Sequence, residues 1–342
     1  MTSPTLHVVT PTIPCRYLST PTQRVWLKLE SMQPTGSFKI RGAERACAAE
    51  AANGARRILI ASSGNAGVAV AYCARLLGLA CLVVVPEATG MLVRITLRNL
   101  GAEVITRGNT LEDAQAVLQV LRAPGDGVIH PSDNPAMKEG YATLIHEAKM
   151  QMPCPDAVVV SVGGGGLMSG VLQGMHRVGW NGVPLIACEV FGAHRLALAM
   201  AAERPVLMPQ LTSVASATGS RCISPDAFAW TSRHTVRSEV VTDLEAVRAV
   251  KCFADRYNRV MDPSCGAALA AAARRRSAEL DAAREVLVIL CGGIGASYQD
   301  LISIERGLCS RMPHDLAAES GPPSEYPKEI SGLLRAHPAA KG

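Results

Sequence analysis

Lys39 stands where a turn opens a helix: Lys28-Leu29-Glu30-Ser31-Met32-Gln33-Pro34-Thr35-Gly36 leads into Ser37-Phe38-Lys39-Ile40-Arg41-Gly42. In apolar surroundings a lysine there loses its proton at low cost, because burial disfavours the ammonium form. The neutral amine is a nucleophile able to form a Schiff base with a carbonyl compound. Most lysines are solvated surface groups, so this stretch carries weight only in company.

Three further segments supply it. Ala61-Ser62-Ser63-Gly64-Asn65-Ala66-Gly67 follows the apolar run Arg57-Ile58-Leu59-Ile60 and precedes a helical stretch from Val68 to Leu77, closed by Gly78. Strand, small-residue turn and helix start present N–H groups and hydroxyls to an anion such as a carboxylate. The same residues also serve as a plain N-cap. Ser161-Val162-Gly163-Gly164-Gly165-Gly166-Leu167-Met168-Ser169-Gly170 lies between a strand, Asp156 to Val160, and a helix, Leu167 to Met175. Consecutive glycines make a poor spacer, since each loses extra backbone entropy on ordering. They suit a backbone that closes on a phosphate. The stretch lacks the P-loop lysine and the ribose-binding acid of a dinucleotide fingerprint. It reads as a phosphate cup for a small cofactor, with a flexible turn as the alternative. Val286-Leu287-Val288-Ile289-Leu290-Cys291-Gly292-Gly293-Ile294-Gly295 ends a hydrophobic strand on a cysteine and a glycine pair, where ligands sit in open α/β sheets. A thiol there offers a ring nitrogen one weak hydrogen bond without protonating it. It equally suits a buried structural cysteine.

Together these segments resemble the serine/threonine dehydratase family of pyridoxal phosphate enzymes, and most nearly the short L-serine dehydratases, from about Leu6 to about Ser297. The resemblance implies the tryptophan synthase β-type fold (fold type II), an α/β architecture of two domains, each a mostly parallel twisted sheet flanked by helices. It implies that Lys39 carries the Schiff base to pyridoxal 5'-phosphate and that Phe38 lies against the cofactor ring. Asn65 would contact the ring hydroxyl, Gly163, Gly164, Gly165, Gly166 and Leu167 would hold the phosphate, and Cys291 would face the pyridine nitrogen. Ser62, Asn65 and Ala66 would receive the substrate carboxylate. The implied reaction is deamination of L-serine to pyruvate and ammonia, and of L-threonine to 2-oxobutanoate more slowly.

Four positions test that reading. Ser63 stands where the short dehydratases usually have a small residue without a hydroxyl, and where serine racemases of this fold carry a serine as a second acid/base. Racemisation is therefore the alternative to a purely substrate-binding Ser63. Racemases of the fold bind a divalent cation through a Glu, a carbonyl four residues on and an Asp six residues on. Here those positions are Glu189, Ala193 and Arg195, and the arginine disfavours a divalent ion. The dehydratases place a monovalent ion by the matching Glu, so Glu189 with Ala193 is the expected potassium (K+) site, a structural carboxylate being the alternative. Cys291 favours a dehydratase over racemases and sulfur-transferring synthases, which usually present a hydroxyl there. Ser132, within Ile129-His130-Pro131-Ser132-Asp133-Asn134-Pro135, replaces a phenylalanine that usually walls the dehydratase pocket. A roomier, more polar pocket admits another β-substituted amino acid. A synthase is disfavoured by Gln33-Pro34 and Ile40, and a non-catalytic binding module by the intact Lys39, Ser62, Asn65 and glycine cup.

The elements that must position these residues are legible from alternation. Strand-like runs (24–29, 57–60, 79–85, 103–105, 128–129, 157–162, 185–189 and 285–290) alternate with helix-like runs (40–52, 92–100, 111–121, 137–150 and 243–257), which predicts parallel sheets with helices on both faces. The expected division is a small domain at 39–133, a large domain from 1–38 with 134–312, and a tail at 313–342 whose proline and charge content predicts partial disorder. At 342 residues the chain can build two cores. The formal charge of +5 is scattered, with Arg274-Arg275-Arg276 the dense basic run, expected on the solvated face of an Ala-rich helix. Four Phe and three Trp give no base-stacking platform, so no nucleic-acid partner is expected. Eleven dispersed cysteines without CxxC or zinc spacing predict reduced thiols. With no signal-like opening segment, and an apolar run at 76–86 too short for a bilayer, the expectation is a cytoplasmic protein without a membrane partner. The family's common state adds a homodimer.

Overall fold

Where strand and helix alternate, successive strands return in the same direction and pair in parallel. The computed structural model, which describes residues 5–215 and 219–310, follows that rule. The expected tail at 313–342 lies outside the described residues. The chain opens with β1 (Thr12–Pro14), β2 (Arg24–Leu29), α1 (Lys39–Ala52), β3 (Arg57–Ala61), α2 (Asn65–Leu76) and β4 (Ala80–Val85). It continues through α3 (Met91–Asn99), β5 (Glu103–Thr106), α4 (Leu111–Leu121), β6 (Asp126–Val128), α5 (Pro135–Gln151) and β7 (Ala157–Ser161). Then come α6 (Gly166–Val178), β8 (Leu185–Val190), α7 (Arg195–Ala201), α8 (Pro225–Ala229), β9 (Val236–Val241) and α9 (Asp243–Tyr257). Last are α10 (Pro263–Arg274), α11 (Ala278–Ala282), β10 (Glu285–Leu290) and α12 (Tyr298–Cys309).

Two sheets result. One runs β1-β2-β10-β7-β8-β9, parallel except for β1; the other, β5-β4-β3-β6, is parallel throughout. The inner strands β7 and β8 are buried along their whole length, as strands covered on both faces must be, which is why they read as unbroken apolar runs. Two strands escape that signal. β1 is three residues ending on Pro14, tolerable only at an edge. β9, Val-Arg-Ser-Glu-Val-Val, closes the opposite edge and keeps only part of its length buried.

The Arg274-Arg275-Arg276 run is not the solvated helix face expected of it. α10 ends at Arg274, Arg275 turns the chain at φ 51°, and the run folds inward. Arg274 pairs with Glu245, Arg276 lies 3.7 Å from the same carboxylate, and Arg275 donates to Leu18 O at 2.6 Å. Burial pushes both Arg274 and Arg276 down to about 10, against the pull of the buried Glu239. Composition alone had placed three charges in water; the position of the helix end decides otherwise.

Behind Lys39 a buried ionic network locks α1 to its neighbours. Arg41 donates to Glu30 (Nε, 2.7 Å) and to Glu147 (Nη1, 2.7 Å), and Lys28 donates to Glu147 at 2.6 Å. α5 passes so close that a Cβ on Gly140 would lie 2.0 Å from Arg41 O. Among the described residues no helix is long and apolar enough to cross a membrane.

Candidate active site

The carboxyl ends of β2, β10 and β7 lie side by side, and β3 of the second sheet contributes its own carboxyl end opposite them. Between them is a cavity of about 100 Å³. It brings together every residue the sequence assigned to cofactor, substrate or catalysis: Phe38, Lys39, Ser62, Ser63, Asn65, Ala66, Ser132, Gly163, Gly164, Gly165, Gly166, Leu167 and Cys291. Glu189 and Ala193 are the exception, lining a separate small cavity at the end of β8.

Lys39 is the first residue of α1, held in register with β10 by the backbone before it. Phe38 N donates to Cys291 O (3.1 Å), Gly293 N donates to Gly36 O (2.9 Å), and Ser37 bridges Gly292. The amine donates to Pro131 O at 2.9 Å and lies 5.1 Å from the Phe38 ring centroid and 5.8 Å from that of Tyr141. Burial in this apolar setting pushes the Lys39 amine down to about 8, with Cys291 acting weakly the other way. Attachment of an aldehyde needs the neutral amine. The rate at which cofactor-free protein takes up pyridoxal phosphate, trapped by borohydride, should therefore rise about tenfold per pH unit below 8 and level off above it. A plateau displaced to the ordinary lysine range would contradict this environment.

Asn65 opens α2 with both ends of its amide fixed. Nδ2 donates to Asp262 Oδ2 (2.7 Å), and Oδ1 accepts from Ile294 N (3.1 Å). Asp262, 1% exposed, also accepts from Gly295 N at 2.6 Å, and burial pushes its carboxyl up. An amide nitrogen carries two protons, so Asn65 keeps one for a ligand. Asp262 thus orients Asn65 across 197 residues of sequence, a role no local pattern announces. Ser62 is largely spent on the turn: its Oγ accepts from Gly67 N (3.0 Å) and Gly64 N (3.3 Å) and donates to Gly64 O at 3.5 Å, a long bond that a ligand carboxylate could replace. Ser63 reaches the cavity wall with no such duty in the turn. Ser161, Ser220 and Ser264 also line the cavity and went unremarked in the sequence.

The cup is made by the turn from β7 into α6. Gly165 adopts φ 93° and caps a helix of 13 residues with no acid in its first turn. The first N–H groups of such a helix lack partners within it and, with its dipole, favour an anion. Neighbours press in wherever a side chain would stand. A Cβ on Gly166 would lie 2.7 Å from Ser132 O, and one on Gly165 2.2 Å from Ala227 Cβ. Ser132 reaches this wall through a turn in which Ser132 N and Asp133 N both donate to His130 Nδ1, at 3.3 and 2.9 Å. Cys291 is 8% exposed, and a hydrogen bond with Cys265, then burial, push its thiol well above the usual range. It is protonated and uncharged, and among the described residues no carboxylate lines the cavity. An amine, an anion cup and a neutral donor at three corners fit a phosphorylated pyridine aldehyde.

At the end of β8 the fit fails. The Ala193 carbonyl accepts from Arg195 Nη2 (2.6 Å) and Nε (3.1 Å), and Arg195 Nε lies 3.8 Å from Glu189 Oε1. Glu189 in turn accepts from Leu196 N and Ala197 N, while burial pushes its carboxyl up to about 7. A guanidinium therefore uses the groups expected to receive potassium. Among the described residues no cluster of three His, Cys, Asp or Glu side chains is placed to hold a metal ion.

The profile of the family described as pyridoxal-phosphate dependent enzyme matches residues 5–292. L-serine dehydratase/L-threonine deaminase of Mus musculus is 41% identical over 316 residues, covering 89% of this chain and 97% of that protein. Serine dehydratase-like of Homo sapiens is 40% identical over 313 residues, covering 88% and 95%. Among solved structures, a fungal L-serine ammonia-lyase from Rhizomucor miehei superposes with a TM-score of 0.83 at 30% identity, covering 88% of this chain and 98% of the other.

Proposed function

This chain belongs to the pyridoxal-phosphate dependent enzymes, and from that membership we propose that it is a deaminating L-serine dehydratase, an ammonia-lyase giving pyruvate and ammonia. L-Threonine is its slower substrate, giving 2-oxobutanoate. The observation that carries this reading is that the Lys39 amine and the protonated Cys291 thiol share a cavity that no carboxylate among the described residues lines.

When bound, pyridoxal phosphate supplies a carbonyl for the substrate amine and a conjugated ring that takes up the electron pair left at Cα. The N–H groups of Gly163 to Leu167 would hold its phosphate. Ser62, Asn65 and Ala66, at the start of α2, bind and orient the substrate carboxylate. Lys39 Nζ takes the proton from Cα, its lowered pKa suiting it to accept and return a proton near neutrality. Cys291 Sγ, which here donates to Gly292 O at 3.7 Å, would face the ring nitrogen as an uncharged group, which disfavours reactions that need a long-lived carbanion. The β-hydroxyl would then depart as water, taking up the proton that Lys39 Nζ removed from Cα, and the released enamine would add water and give the 2-oxo acid and ammonia.

Ser63 favours one second reading, racemisation, because its hydroxyl reaches the same cavity. Incubating the holoenzyme with L-serine, L-threonine and D-serine, and following 2-oxo acid and chirality together, separates the two. The expected result is fast pyruvate from L-serine with no accumulation of D-serine. Ser63→Ala should then lower kcat/KM for L-serine about fivefold, the worth of one hydrogen bond. Accumulation of D-serine that disappears in Ser63→Ala would make Ser63 a second acid/base instead. If neither product forms, Ser132 has opened the pocket to another β-substituted amino acid. We further assign 39–133 to a small domain and 1–38 with 134–312 to a large one, supported by a four-stranded sheet drawn wholly from 57–128. Cytoplasmic location accords with eleven free thiols, and the homodimer with the family's common state.

A further inference from the structure

Arg195 is 0% exposed, yet it carries a full charge at the first residue of α7. Among the described residues, its donors reach carbonyls on two segments. Nε and Nη2 donate to Ala193 O at 3.1 and 2.6 Å, and Nη1 donates to Ser220 O at 2.6 Å. Glu189, 1% exposed, supplies the countercharge at 3.8 Å. A buried carboxylate with inward-turned carbonyls is the donor set a hard monovalent cation would use, and here the guanidinium spends it. What remains beside Glu189 and Arg195 is a cavity of about 10 Å³, room for about one water. A second cation there would stand against the first.

The far end of this clamp is functional. Ser220 lines the active-site cavity, its Cβ lying 3.4 Å from where a Cβ on Gly164 would stand. Four residues on, Ser224 N donates to Gly164 O at 3.1 Å. The guanidinium thus ties one wall of the phosphate cup to the end of β8. We propose that Arg195 is a resident cation: a positioning residue that holds residues 219–224 against the cup and makes cofactor binding independent of added monovalent ions.

The test uses the holoenzyme in tetramethylammonium chloride at fixed ionic strength, exchanged stepwise for potassium, sodium or ammonium. Melting temperature and the rate of pyridoxal phosphate release are the readouts, so the outcome does not depend on L-serine being the substrate. An ion that bound the folded state would stabilise it by mass action, so the expected result is no saturable shift in either readout and a change in release of less than about twofold. Potassium that slows release or raises the melting temperature saturably would overturn the proposal. Arg195→Ala should release the cofactor about tenfold faster in tetramethylammonium and recover saturably with potassium, ammonium or dilute guanidinium. An Arg195→Ala variant that holds the cofactor as the parent does, with no response to cations, would also overturn it. Should Arg195→Ala not fold, the parent series still decides. Arg195→Lys, which restores a charge, should then need no added ion; dependence on potassium would show that cation and side chain act separately.

Discussion

Lys39→Ala should lower pyruvate formation from L-serine by at least about 10⁴-fold while leaving a folded protein. The loss is large because one amine does two tasks: its nucleophilicity anchors the cofactor, and its basicity removes the α-proton. Among the described residues no other amine lines the cavity to substitute for it. Stability should not follow activity. The amine's one hydrogen bond goes to Pro131 O, and the folded state holds its pKa at about 8, below that of an unfolded lysine. For a basic group lowered in this way the unfolded chain binds more protons between pH 8 and 10.5, so the cofactor-free protein gains stability as pH rises through that window. Below it the full penalty of a buried ammonium is present, and alanine removes that penalty. At pH 7 cofactor-free Lys39→Ala should therefore melt no lower than the parent. Dialysed with pyridoxal phosphate, it should retain cofactor that borohydride cannot trap. Activity within a hundredfold of the parent would remove Lys39 from both roles.

The segments that exposed this site were readable because each is contiguous. Strand, turn and helix start follow one another within about a dozen residues at 57–67 and 156–167, strand and glycine turn do so at 286–295, and local residue types report local backbone needs. What stayed hidden is what the fold assembles from afar. Nothing near Asp262 indicates that its carboxylate orients Asn65, and nothing near Pro131 indicates that its carbonyl holds Lys39. The charge of Arg195 is visible in the sequence, but its bond to Ser220 lies 25 residues away, beyond any motif. β1 and β9 were missed for a different reason. Edge strands need only partial burial, so a proline end or an Arg-Ser-Glu interior costs them little and erases the apolar pattern. Arg274 to Arg276 misled because charge reports solvation on average, while a helix end can carry charges inward when Glu245 is there to meet them.

Gly165→Ala should weaken pyridoxal phosphate binding by about a hundredfold. Two independent penalties meet at this position. Its φ of 93° is strained for any L side chain, and its Cβ would lie 2.2 Å from Ala227 Cβ and 2.8 Å from Ile223 Cδ1. Ala227 has no flexible end to swing aside, so α8 as a body must retreat. Its retreat pulls on Ser224 N, which holds Gly164 O, and on Asp226, which pairs with Lys138 at 2.9 Å. The damage therefore passes directly into the N–H array that must converge on the phosphate. Gly164→Ala is the internal control. It has no left-handed φ, and its Cβ would lie 2.8 Å from both Ser132 Cβ and Oγ, so the hydroxyl can rotate away and only the turn at Ser132 must shift. Its loss should be within about tenfold. Titrating cofactor absorbance and melting each protein without cofactor separates lost convergence from lost fold. Equal effects of the two substitutions would mean that the cup tolerates displacement and that the positive φ at Gly165 serves only to start α6.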